Sequence, residues 1–243
     1  VPNLADHEFF ISQNILGEPK ARKKPSTIFV GDMFDLFHEA IPDDFILDVW
    51  DIMNQSRQHT FQVLTKRAAR MQNFISRLHA ALGNEDWYFM LKDEALPGDG
   101  YRLPNVWIGV SVEDQQRADE RIPLLLQTPA AVRFLSVEPQ LEEVDLLKAF
   151  YVGGEGGYEH VGSLRQMIHQ VICGGESGPS ARPFQLEWAV LLLAECRNAG
   201  VPFFMKQLGS RPRRGDVRLK LKDSKGGDPT EWPKVLRVRE FPR

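Results

Sequence analysis

One recurring unit constrains this chain more than any other feature. A short, nearly continuous apolar run is followed by a polar loop and then by a stretch with helical spacing. Six runs read as strands, at 28–30, 60–65, 106–112, 132–137, 171–173 and 202–205. Between them Phe45, Ile46, Val49, Trp50 and Met53 repeat at helix period behind Pro42-Asp43. Met71, Phe74, Ile75, Leu78 and Leu82 do so ahead of Gly83. Ala118, Ile122, Leu125 and Leu126 mark a third helix, and Trp188, Leu191, Leu192 and Cys196 a fourth, closed by Ala199-Gly200. Apolar strands alternating with amphipathic helices predict an α/β fold in which helices cover a parallel sheet, open or closed into a barrel.

Two stretches interrupt the rhythm. Residues 84–105 are polar and rich in Gly and Pro, with 87–91 as a candidate extra strand. Residues 151–169 carry the run Gly153-Gly154-Glu155-Gly156-Gly157 and read as a mobile excursion. The expected division is an N-terminal arm or remnant of a first unit (1–27), a βα body (28–209) and a basic, turn-rich C-terminal extension (210–243) packed over the core.

Composition excludes some classes. Thirty basic and 33 acidic residues give a net charge of −3, so overall charge does not call for nucleic acid. No apolar run approaches the ~18 residues needed to span a bilayer, and no signal-peptide pattern is present. The two cysteines, Cys173 and Cys196, are too few for a disulfide framework, and a cytoplasmic setting without a membrane is the expectation. There is no dinucleotide fingerprint, P-loop or nucleophile elbow, and the six histidines show no zinc spacing.

Chemistry gathers immediately after the strands. The candidates are Asp32 and Asp35; Lys66 and Arg67; Ser111 and Glu113; Ser136 and Glu138; Gly174, Gly175, Glu176 and Ser177, with Arg182; and Lys206 and Gln207. In a parallel α/β sheet these positions share one rim, where ligand sites form. Each has a rival reading. Asp32 and Asp35 fit a turn and a helix start. Gly174 to Gly178 is either an anion or cofactor cradle or a tight turn, and Lys206 is either a ligand or a snorkelling side chain. Lys66-Arg67 sets two cations where a helix dipole disfavours them, which calls for a carboxylate such as Glu113 or Glu138, or a charged ligand.

The strings IFVGDMFDLFHEAIPDDF, HTFQVLTKRAARM, LPNVWIGVSVEDQQRADERIPLLLQTPAAVRFLSVEP, VICGGESGPSARP, AGVPFFMKQLG and GGDPTEWPKVLRVREFP resemble a phage- and prophage-associated family of unknown function, from about residue 25 onward. That family is similar to radical S-adenosylmethionine (SAM) enzymes of the spore photoproduct lyase branch. The resemblance implies a partial TIM-type (βα)6 barrel with SAM bound across the strand ends. Asp32 and Asp35 would face its amino group. Ser111, Glu113, Ser136 and Glu138 would approach the ribose and amino acid portions, and Gly174, Gly175, Glu176 and Ser177 the adenine. Lys66 is added to this cofactor set. Arg67, Arg182, Lys206 and Gln207 are the candidates for a nucleic acid or nucleotide substrate. Such enzymes also hold a [4Fe–4S] cluster on closely spaced cysteines ahead of the first matched strand. No cysteine precedes Cys173 here, so no metal ligands are expected in this chain. With Val1 in place of an initiator, an upstream segment carrying those cysteines is the expectation, and this polypeptide by itself should not cleave SAM reductively.

Overall fold

A computed structural model describes residues 17–31, 34–82, 102–154, 157–160 and 164–242. Its centre is six parallel strands: β1 (Thr27–Val30), β2 (Thr60–Thr65), β3 (Val106–Ser111), β4 (Val132–Val137), β5 (Gln170–Gly174) and β6 (Phe203–Gln207). Each strand pairs with its sequence neighbour, in the order β1 to β6, and the sheet curls into a half-barrel. Helices α1 (Asp43–Gln55), α2 (Ala68–Leu82), α3 (Gln115–Gln127) and α4 (Leu186–Ala199) alternate with the strands. The expected partial TIM-like α/β architecture is therefore the observed one.

Side-chain alternation decides which face is covered. Along β2, Phe61, Val63 and Thr65 are buried while Thr60, Gln62 and Leu64 are half-buried. The buried set continues through Ile108, Val110, Leu135, Val137, Val171, Cys173, Phe203 and Met205, and joins Ile46, Trp50, Phe74, Ile122 and Leu192 of the helices in one core. Each such side chain contributes roughly 1.5–3 kcal/mol by leaving water. The opposite, concave face carries the half-buried Gln62, Leu64, Trp107, Ile172 and Phe204. Phe134 on that face is fully buried, its ring lying over Gly109 of β3.

Local chemistry sets the helix ends. Asp114 caps α3, its carboxylate accepting from the Arg117 N–H at 2.8 Å. Gly200 closes α4 in the left-handed region at φ 70°, where a side chain would be strained. Asp43 opens α1 and accepts from Arg70 at 2.8 Å and Arg77 at 2.7 Å, tying α1 to α2.

The structure revises several boundaries. β3 stops at Ser111, and β5 gains a residue at each end. β6 runs from Phe203 to Gln207, so Lys206 and Gln207 lie within the strand and not behind it. The reason is a register shift between Cys173 and Gly174, beyond which Gly174 pairs with Gln207 and prolongs the ladder. The stretch between β4 and β5 has secondary structure of its own: helical turns at Leu146–Phe150 and Leu164–Met167 flank an antiparallel hairpin of Tyr151–Gly154 and Gly157–His160. The candidate strand at 87–91 lies outside the described residues.

The C-terminal stretch packs onto the barrel. Pro212–Arg214 pairs with Phe184–Gln185 on one side and Val217–Arg218 on the other. Trp232 and Leu236 are buried. The chain then runs along β6, with the Met205 N–H donating to Val238 O at 2.9 Å and the Glu240 N–H to Phe203 O at 3.0 Å. The Arg239 guanidinium lies 5.4 Å from the Phe204 ring centre and 5.2 Å from that of Trp232. Among the described residues no helix is long and apolar enough to cross a membrane.

Candidate ligand site at the strand ends

Because all six strands point the same way, their carboxyl ends form one rim, and the polar residues found there in sequence become neighbours. Ser111 and Ser136 are register partners on β3 and β4, both buried on the concave side. Just beyond them, Lys66 Nζ lies 2.7 Å from Glu113 Oε1, joining the ends of β2 and β3. Arg121 of α3 holds the other oxygen of Glu113 at 2.9 Å and also donates to Ser111 O at 2.8 Å. Burial works against the Glu113 charge, but the hydrogen bond from Lys66 and the charges of Lys66 and Arg121 outweigh it. The carboxyl is held below its ordinary range.

Glu138, at the end of β4, meets Lys206 of β6 at 2.9 Å, spanning the intervening β5. That reach is possible because β5 ends in Gly174: a Cβ there would stand 2.8 Å from Glu138 Oε1. Gly175 is equally constrained, with its Cβ position only 2.3 Å from Leu208 O. Glu176 accepts from Arg182 three times, from the backbone N–H at 2.8 Å, Nε at 2.8 Å and Nη2 at 3.0 Å. These bonds lower the Glu176 pKa, and the charge of Lys66 adds to the effect. Glu113 in turn acts on Arg182. The pairs therefore sense one another across the mouth.

The two lysine pairs are asymmetric. Lys66 and Lys206 side chains are 58% and 57% exposed, whereas their partners Glu113 and Glu138 are 10% and 13% exposed. The carboxylates are sheltered and the ammonium groups face solvent. A ligand cation can replace either lysine at its carboxylate, and the displaced lysine can meet a ligand anion.

Other candidates hold the rim together. Asp35 Oδ1 accepts from Thr65 Oγ1 at 2.6 Å and the Phe37 N–H at 2.9 Å; Oδ2 accepts from the Lys66 N–H and Arg67 Nη1, each at 3.0 Å. Arg67 also donates to Glu39 at 2.9 Å. Asp35 thus pins the loop after β1 to the end of β2, and Arg67 is engaged in that pin. Gln207 donates to Gly175 O at 3.0 Å and braces the glycine loop, on which Ser177 is exposed. Asp32 lies outside the described residues.

Arg121 was missed in sequence, although it interrupts the buried stripe Ala118, Ile122, Leu125 at helical spacing, where a cation needs a partner. Gln140 was missed too. It is buried beneath the rim and accepts from Cys173 Sγ at 3.3 Å.

A family model described as "Protein of unknown function (DUF5131)" matches residues 3–232. The chain belongs to the DUF5131 family. No curated protein and no solved structure matches it. The DUF5131 match begins ahead of the residue-25 start expected from sequence, and it runs through the C-terminal stretch to Trp232. That stretch is thus part of what DUF5131 chains share, consistent with Trp232 being buried against the barrel.

The described residues of this DUF5131 chain do not fit an iron–sulfur cluster. Cys173 and Cys196 are fully buried in the apolar core, where desolvation pushes both thiols far up and disfavours the thiolate such a cluster requires. Among the described residues no group of His, Cys, Asp and Glu is arranged to hold a metal ion. The rim is a different case. Its Glu113 and Glu138 carboxylates offer acceptors, its Lys66 and Lys206 ammonium groups offer donors, and the Ser111 and Ser136 hydroxyls offer both.

Proposed function

We propose that the rim binds SAM and that the chain is the barrel of a radical-SAM-like enzyme acting on a nucleic acid or nucleotide. The observation that carries the binding step is the pairing of buried Glu113 and largely sheltered Glu138 with exposed Lys66 and Lys206. The methionyl ammonium or ribose hydroxyls of SAM would replace a lysine at one carboxylate, and the methionyl carboxylate would take up the freed lysine. Ser111 and Ser136 offer hydroxyls beneath. When bound, SAM supplies an adenosyl group, and the chain's own residues bind and orient it. Reductive chemistry would need thiolates that Cys173 and Cys196 do not offer. Resemblance to the spore photoproduct lyase branch supports this reading, and phage association and a cytoplasmic setting go with it.

The test is a thermal melt with SAM. Ligand at about 100 times Kd adds about 2.7 kcal/mol of stability. Glu113→Gln and Glu138→Gln should each reduce the shift. An unchanged melting temperature at millimolar SAM overturns the reading. Burial of both thiols favours a second reading, a non-catalytic protein that holds SAM or a nucleotide at the same rim. It predicts the same melt but no colour after anaerobic reconstitution with iron and sulfide of any form of the protein that carries further cysteines.

A further inference from the structure

Charge is unevenly spread along the chain. Between Ser210 and Lys225 there are seven basic and two acidic residues, in a protein of net charge −3. At the rim, lysines and arginines are paired with carboxylates. None of these seven side chains closes a salt bridge within 4 Å of a carboxylate among the described residues. Arg211, Arg213 and Arg218 donate only to backbone carbonyls. Of the two acids, Asp223 has its oxygens taken by the N–H groups of Lys225 at 2.9 Å and Gly227 at 2.7 Å, a turn-forming role.

The segment after Val217–Arg218 is a charged strip by construction. Leu219 and Leu221 pack against the core, while Arg218, Lys220 and Lys222 alternate with them and are exposed. Alternation in extended chain separates successive cations by about 7 Å, comparable with the spacing of successive phosphates on one nucleic acid strand. Arg218, Lys220, Arg211 and Lys225 line a cleft of about 910 Å³ whose other side includes Gly178 and Pro179. Among the described residues no aromatic side chain lines it. The cleft wall is tied to the rim loop: the Ser210 N–H donates to Glu176 O at 2.8 Å and the Gly178 N–H to Ser210 Oγ at 2.9 Å.

We infer that this strip binds the phosphate backbone of a nucleic acid strand and lays it beside the Glu176 loop. The absence of aromatic residues means that phosphates are read and bases are not stacked, so binding is indifferent to sequence. An anionic membrane is a poorer match. Adsorption of that kind needs a broad apolar face beside the cations, and this strip exposes a single large apolar side chain, Val217, with Leu219 and Leu221 half-buried against the core. As a description of what reaches the rim, the inference rests on the SAM reading; as a binding site it stands alone.

Fluorescence anisotropy with a labelled oligonucleotide of about 20 residues, single-stranded and duplex, tests it over a range of KCl. With about three phosphates engaged, log Kd should change with log salt with a slope of about 2 for the single strand and about 3 for the duplex. The triple variant Arg218→Glu, Lys220→Glu, Lys222→Glu should weaken binding at least about tenfold and flatten that slope, with its melting temperature and SAM shift unchanged. Salt-independent binding, or equal binding by the variant, overturns the inference. Variant-sensitive binding to phosphatidylserine vesicles without oligonucleotide binding does so as well, in favour of a membrane. DNA binding without a SAM shift leaves the strip and removes the rim reading; a SAM shift without DNA binding does the reverse.

Discussion

Glu138 reaches Lys206 across the bare backbone of Gly174, closing a 2.9 Å ion pair between strands that are not neighbours in the sheet. Gly174→Ala puts a methyl 2.8 Å from Glu138 Oε1 and forces that side chain aside. The lysine is more than half exposed, so the pair contributes less than about 1 kcal/mol to folding. We expect a urea midpoint close to that of the unmodified chain and a clearly smaller SAM-induced melting shift. A full-sized shift would show that the Glu138 position is irrelevant to binding.

Gly109 and Phe134 make a sharper case. A Cβ at Gly109 would sit 2.5 Å from the Phe134 ring, which is fully buried and cannot swing out to water. Gly109→Ala should cost about 2–3 kcal/mol by overpacking. Phe134→Leu introduced with it should cost less than the two changes separately, since one relieves the other. Denaturant titration of the single and double variants measures the coupling, and strict additivity would contradict the contact.

Asp35 gathers four donors, so the chemistry of its replacement should grade the damage. Asp35→Asn keeps an acceptor for Thr65 and Phe37 but loses the charge opposite Arg67. Asp35→Ala abandons all four donors and should lose about 2–4 kcal/mol, clearly more than the amide. Equal losses in chemical denaturation would mean that the pin is electrostatic alone.

Glu113 carries an acid signature. Its folded-state pKa is below the ordinary 4.5, so the unfolded chain takes up the proton more readily. The stability this provides is fully present above about pH 4.5 and is lost as pH falls through the lower folded value. Glu113→Gln should be less stable at neutral pH by about 3 kcal/mol, because Arg121, only 14% exposed, is left without its carboxylate. Its stability should also decline less steeply between about pH 5 and pH 3. Melts across that range, compared with those of the unmodified chain, supply the slope difference; parallel curves would argue against the assignment.

The fold was readable because β2 and β4 are bounded by sharp changes of composition, and both match their expected limits to the residue. The extent of β6 was harder. Lys206 and Gln207 look like loop residues, yet a strand end on an exposed rim carries polar side chains while its backbone stays in the ladder. The glycine run at 153–157 has no side-chain period in sequence, so the antiparallel pairing of Tyr151–Gly154 with Gly157–His160 was not legible there. At the site, polar residues after each strand were visible as a set. Their partnerships were not: Lys66 with Glu113 and Lys206 with Glu138 join residues 47 and 68 positions apart. Arg121 was hidden because it sits in a stripe read for hydrophobicity, and Gly174 because a missing side chain matters only beside a particular neighbour.

The burial of Cys173 and Cys196 has a practical corollary. These are the only sulfhydryls in the sequence, and both are sealed in the core. The native protein should be inert to maleimides and stain fully only after denaturation. A single cysteine placed on the charged strip would then be a clean attachment point for a fluorophore or cross-linker, so that proximity of a bound molecule can be mapped without first removing any natural residue.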